Sequence, residues 1–108
     1  MIFSQSDAAL SVDLWILPNV SLLSLASVME PMRGANRVAG RSLFQWRLLS
    51  PSGTSSHSSS GLPIAVSGPA DAETDADAVI ALASFEVESH GIELLPRLRR
   101  AARRGLAV

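Results

Sequence analysis

Two almost continuous apolar runs do most to limit what this chain can fold into. Residues 11–17 read Ser-Val-Asp-Leu-Trp-Ile-Leu and are stopped by Pro18 and Asn19, and residues 78–83 read Ala-Val-Ile-Ala-Leu-Ala. Runs of this length without polar alternation suit strands covered on both faces, as in a parallel sheet. Between them lies a helical pattern over residues 21–38, in which Leu22, Leu25, Ala26, Met29, Met32 and Ala35 recur at three- and four-residue steps. Asn19 or Ser21 is placed to cap its first turn, and Gly40 to end it. Pro31 cannot donate to the preceding turn, so the pattern predicts a kink there, or a helix restarting at that residue.

Residues 43–50 set Phe44, Trp46 and Leu48 against Gln45, Arg47 and Leu49, the two-residue period of a strand. Ser50-Pro51-Ser52-Gly53 is a turn signal, and residues 54–60, nearly all serine around His57, are too polar to pack and predict a mobile loop. Residues 62–66 predict a short edge strand, since Pro63 has no N–H for a central ladder. After the second apolar run come a loop over residues 84–91 and a helix that is firm from Pro96 to Gly105. Leu106-Ala107-Val108 then opens another strand. Strands alternating with helices imply an open, mostly parallel α/β sheet.

At 108 residues and 47% hydrophobic, the chain has the length of one ordinary domain and the means to bury a core. It has no cysteine, which removes disulfides, thiolate zinc sites, iron–sulfur clusters and thiol nucleophiles and leaves His57 and His90 as the imidazoles. No metal site and no cofactor is expected. His57 lies among serines and ahead of Asp71, but no Gly-x-Ser-x-Gly elbow accompanies them, so a solvated loop histidine is the better reading. The seven acidic residues between Asp71 and Glu93 are split by a buried run and read as a solvated face. Arg97, Arg99, Arg100, Arg103 and Arg104 make the last helix basic. We read them as structural, or as paired with the acidic stretch, in preference to a DNA contact. Residues 1–10 have neither a basic start nor a long apolar run, and nothing approaches the roughly 20 apolar residues of a membrane span, so a cytoplasmic location is expected.

A family resemblance adds to this reading. Trp15-Ile16-Leu17-Pro18, Glu30-Pro31-Met32-Arg33-Gly34-Ala35-Asn36-Arg37, the segment Phe44-Gln45-Trp46-Arg47-Leu48-Leu49-Ser50, and Ser60-Gly61-Leu62-Pro63 resemble AraC-type transcriptional regulators with an N-terminal ThiJ/PfpI sensor domain, a domain of the class I glutamine amidotransferase-like type. Residues 77–82 and 97–108 fit the family's next strand, arginine-rich helix and following strand. The resemblance implies an open, mostly parallel flavodoxin-like sheet with flanking helices, here truncated. Residues 1–108 would be a partial sensor domain, with the helix-turn-helix module absent. It further implies a non-catalytic, ligand-sensing role, with a small-molecule metabolite of the amino-acid or quaternary-amine class as ligand. A homodimer would form in the full-length protein, with no DNA binding by this chain alone and no membrane partner. The alternative is a fragment of a ThiJ/PfpI-like hydrolase or hydratase whose catalytic cysteine lies beyond residue 108.

Four residues follow as ligand-binding candidates. Ser24 stands where enzymes of the superfamily carry an acidic residue early in the first helix, and Ala83-Ser84 stands where relatives have a glycine pair after a strand. Arg33 and Asn36 share a helix face and could point together into the crevice beyond the strand ends. The competing reading pairs Arg33 with Glu30 and has Asn36 end the helix through a backbone hydrogen bond.

Overall fold

The computed structural model describes residues 8–83 and 94–108. Strand β1 (Leu10–Ile16) leads into helix α1 (Leu22–Ala39), strand β2 (Phe44–Ser50), the two-residue strands β3 (Ser56–His57), β4 (Pro63–Ile64) and β5 (Gly68–Pro69), strand β6 (Ala78–Leu82) and helix α2 (Leu95–Arg103). Four strands form one sheet in the order β5-β2-β1-β6. Every pairing in it is parallel, with Leu10 opposite Phe44 and Trp15 opposite Leu49 on one side of β1, and Val12 opposite Ala78 and Ile16 opposite Leu82 on the other. This is the open α/β sheet expected, and its two apolar runs are neighbours in it, β1 inside the order and β6 at its end. After α2, Ala107 pairs in parallel with Ala78 at the outer side of β6, where the sequence predicts a strand to open.

Alternation along β1 divides the core into two layers. Val12, Leu14 and Ile16 meet Leu25, Met32, Val28 and Met29 of α1 on one face. Trp15 and Leu17 meet Val79, Leu94, Ala101 and the loop alanines Ala70 and Ala72 on the other. Both faces of β1 are therefore covered, which is why its sequence carries no solvent-facing alternation.

Local signals set the helix ends. Ser21 caps α1 by accepting the Ser24 N–H, while Asn19, the other candidate cap, takes a left-handed backbone at φ 62°. Gly40 closes the helix, also left-handed. Pro31 neither ends nor restarts α1, which runs unbroken through all 18 of its residues. The serine-rich segment also departs from expectation. Instead of a mobile loop it forms β3, pairs antiparallel with β4 and is stapled to the chain after β1, because Asn19 N–H donates to His57 O at 2.9 Å and Ser59 N–H to Val20 O at 3.0 Å.

One charged side chain among the described residues lies within the second core layer. Asp13, 2% exposed, points to the α2 side of β1, where Arg47 Nε and Nη2 donate to its two oxygens at 2.7 and 3.1 Å. Thr74 Oγ1 adds a third hydrogen bond at 2.5 Å and itself accepts from Ala76 N–H. The hydrogen bond to Asp13 holds the Arg47 guanidinium above its ordinary range. Removing the arginine would strand a buried carboxylate. Because Arg47 is itself half-exposed and water can reach its place, Arg47→Met should cost about 1–3 kcal/mol in urea unfolding, and a second change, Asp13→Leu, should recover most of that loss. A double variant as unstable as the sum of the two singles would contradict the assignment.

Candidate functional site

Because β1, β2 and β6 are parallel, their carboxyl ends share one edge, where loops and the start of α1 converge. The chain moves from β1 to β2 on one side and then to β6 on the other, so β1 is the strand at which the sheet's direction of winding reverses. The ends of β1 and β6 lie side by side, with Leu17 N–H donating to Leu82 O at 3.2 Å. Ser24, half-buried in the first turn of α1, stands over this edge. Its backbone N–H goes to Ser21 Oγ and its carbonyl accepts from Ser27 Oγ, while its hydroxyl has no partner among the described residues. Ser84 follows β6 and lies outside the described residues, as do His90, Glu86, Glu88 and Glu93.

Arg33 and Asn36 are not at this edge. Helix α1 runs back against the strands, and Arg33 lies eleven residues past its start, or about 16 Å at roughly 1.5 Å per residue. Its guanidinium pairs with Glu30 at 2.6 Å on an exposed surface. Asn36 sits beside the amino end of β2, where its Oδ1 accepts from Leu43 and Phe44 N–H at 2.8 and 2.9 Å and its Nδ2 donates to Phe44 O at 3.0 Å. The carboxamide thus serves Phe44 much as a neighbouring strand would. The expectation that the two side chains point together into the crevice is corrected, since the direction of α1 carries them to the opposite edge.

A crevice of about 540 Å³ opens on the β2 side of the same carboxyl edge. Pro18 and Asn19 after β1 form one wall, the turn from Ser50 to Thr54 another, and residues 55–57 the third. The turn is held by Ser50, whose Oγ donates to Thr54 O at 2.8 Å and accepts from Gly53 N–H at 3.0 Å. Gly53 has φ 81° and packs so closely on β5 that a Cβ there would lie 2.9 Å from Pro69 Cδ, so no side chain fits. The imidazole of His57 is exposed at the rim. Sequence reasoning missed this crevice because its walls come from a tract whose composition reads as unstructured.

Six charged residues of the second half are tied into the structure. Arg97 Nη1 donates to Pro51 O at 3.0 Å and Ala70 O at 3.3 Å, Arg104 reaches Ala72 O, and Glu73 pairs with Arg100 and Arg104. Asp71 caps its own turn at Glu73 N–H, and Asp77 accepts from Ser11 N–H. This is the pairing of basic helix and acidic stretch expected from the sequence. No three acidic or histidine side chains among the described residues converge as a metal site would require, and no described helix is long and apolar enough to cross a membrane.

The strand order and parallel pairing are those of a flavodoxin-like α/β fold, and comparison with known proteins agrees. A DJ-1 superfamily protein from Agrobacterium tumefaciens superposes with a TM-score of 0.68 at 15% identity, over 90% of this chain and 50% of that one, a likeness of fold alone. An AraC family transcriptional regulator from Pseudomonas putida superposes with a TM-score of 0.77 at 25% identity, over 90% of this chain and 52% of that one. In sequence, the chain is 40% identical over 70 residues to the HTH-type transcriptional regulator GbdR of Pseudomonas aeruginosa, covering 65% of this chain and 19% of the regulator. It is 44% identical over 62 residues to the HTH-type transcriptional regulator GlxA of Rhizobium meliloti, covering 57% of this chain and 18% of that one. No protein-family model matches. The chain is thus similar in sequence to HTH-type regulators and in fold to an AraC family regulator and a DJ-1 superfamily protein, as the resemblance in its motifs implied, and it spans about a fifth of the length of these curated relatives.

The structural role of Asn36 has a direct consequence. Asn36→Ala leaves three backbone groups at the start of β2 without their partner and should cost about 1–3 kcal/mol, read by urea unfolding. A loss below about 0.5 kcal/mol would show that water replaces the amide at no cost.

Proposed function

We propose that residues 1–108 are the first part of the ligand-sensing domain of an AraC-type transcription regulator, without catalytic activity, with DNA bound by a separate helix-turn-helix module. The observation that carries this reading is the 40% identity to an HTH-type regulator over 70 residues. The geometry supports it with a strand edge at the winding reversal, the usual place for ligands of open α/β sheets. Ser24 offers an unspent hydroxyl there, and Ser84 comes two residues after the end of β6 in sequence. The ligand is a small metabolite, with amino acids and quaternary amines first in order. The regulator works in the cytoplasm as a homodimer.

A thermal-shift panel of amino acids, glycine betaine, carnitine and choline tests the reading on this chain. A ligand present at a hundred times its Kd stabilises by about 2.7 kcal/mol. At about 4–8 °C per kcal/mol for a domain of this size, that is a rise in Tm of roughly 10 °C or more. The rise should be lost in Ser24→Leu. Failure of every member of the panel to raise Tm would overturn the sensing role at this edge.

A further inference from the structure

We propose that the crevice between the ends of β1 and β2 is a second binding site, on the same edge as Ser24 but without Ser24 in its lining, and that it takes a neutral, polyhydroxylated small molecule of the sugar or polyol class. Its size is that of a small-molecule site, which typically runs from about 300 to 1,000 Å³. The lining contains no aspartate, glutamate or arginine. Arg97, the cation that reaches its back wall at Pro51, is already committed to the carbonyls of Pro51 and Ala70. A charged ligand leaving water here would meet no carboxylate and no free guanidinium, only the His57 imidazole exposed at the rim, and giving up its hydration there is costly. The lining also lacks an indole, phenyl or phenol face, which quaternary ammonium groups favour.

What the crevice does present is a set of groups that both donate and accept. The hydroxyls of Ser55 and Ser56 and the carboxamide of Asn19 have no hydrogen-bond partner among the described residues. Ser52 and Thr54 share one hydrogen bond of 2.7 Å between their hydroxyls, which leaves that pair one further proton to give. A ligand hydroxyl is likewise both donor and acceptor, so it can satisfy each of these in either sense. The rings of Pro18 and Pro51 supply C–H surface for the ligand's carbon skeleton. The walls are preformed. The serine segment is stapled at Asn19 and Val20, and the turn is locked by Ser50 and by the close approach of Gly53 to Pro69. Little ordering remains to be done on binding.

Saturation-transfer NMR on the chain with glucose, trehalose, sorbitol and myo-inositol, with citrate and putrescine as charged controls outside the amino-acid and quaternary-amine classes, tests this. At least one neutral compound should receive saturation, and the controls should receive little. The signal should fall at least fivefold in Asn19→Gly, which keeps the φ 62° backbone while removing the amide, and in the double variant S55A/S56A. Both variants should melt as cooperatively as the parent chain. The proposal is overturned by transfer to none of the four neutral compounds, by transfer that survives in both variants, or by controls that receive as much. The thermal-shift panel reads a different site and different ligands, so either proposal can fail without the other.

Discussion

Asp13 is the constraint on which the second face of the sheet depends. A carboxylate in the middle of a central strand, 2% exposed, is tolerated only when its oxygens are matched, because transfer of a charge from water costs several kcal/mol. Arg47 comes from the neighbouring strand at the register position directly opposite. Thr74 comes from the loop before β6, and its hydroxyl is in turn fixed by Ala76 N–H. Satisfying Asp13 therefore brings β1, β2 and the loop over residues 70–76 into one arrangement. That loop is the surface on which Arg97, Arg100 and Arg104 of α2 close, through its carbonyls and Glu73. The stability gained from such a pair is small, whereas its partners leave the loop little choice of position.

The direction of α1 separates two kinds of polar work. At its start, near the carboxyl ends of the strands, side chains retain unspent hydrogen-bonding groups, Ser24 among them. At its end, near the amino ends, Asn36 spends three of its four side-chain hydrogen bonds on Leu43 and Phe44, and Arg33 holds Glu30. Two residues three apart on one face looked suited to a shared ligand, and that spacing is correct. The edge of the sheet they reach is set by which way the helix returns, and this is a property of the βα connection beyond the reach of the three-residue step.

What could be read from the sequence follows the same division. The apolar runs at residues 11–17 and 78–83 and the helical period between them disclose the layer order, because burial on two faces and burial on one leave different periods. Gly40 and Ser21 are legible because capping chemistry is local. Pro31 misleads as a helix break, although α1 continues through it with Met32 buried next to it. The two-residue strands β3, β4 and β5 leave no period to detect, and the serine tract packs through backbone hydrogen bonds that composition does not register. The crevice was hidden for that reason, while Asp13 was masked by the apolar residues around it.

Arg97 joins these features. Its single Nη1 links Pro51, the back wall of the crevice, to Ala70, the start of the loop that Thr74 ties to Asp13. Pro51 also follows directly on Ser50, the last residue of β2 and the anchor of the turn. A displacement of that wall must therefore stretch a hydrogen bond to α2, or carry α2 and the loop with it. Packed elements of this kind move as units, since interiors at near-crystalline density do not deform gradually. The crevice and the sheet face beneath α2 are in this way parts of one mechanical assembly, in which an arginine of α2 is joined to the serine-rich tract that looked least structured in the chain.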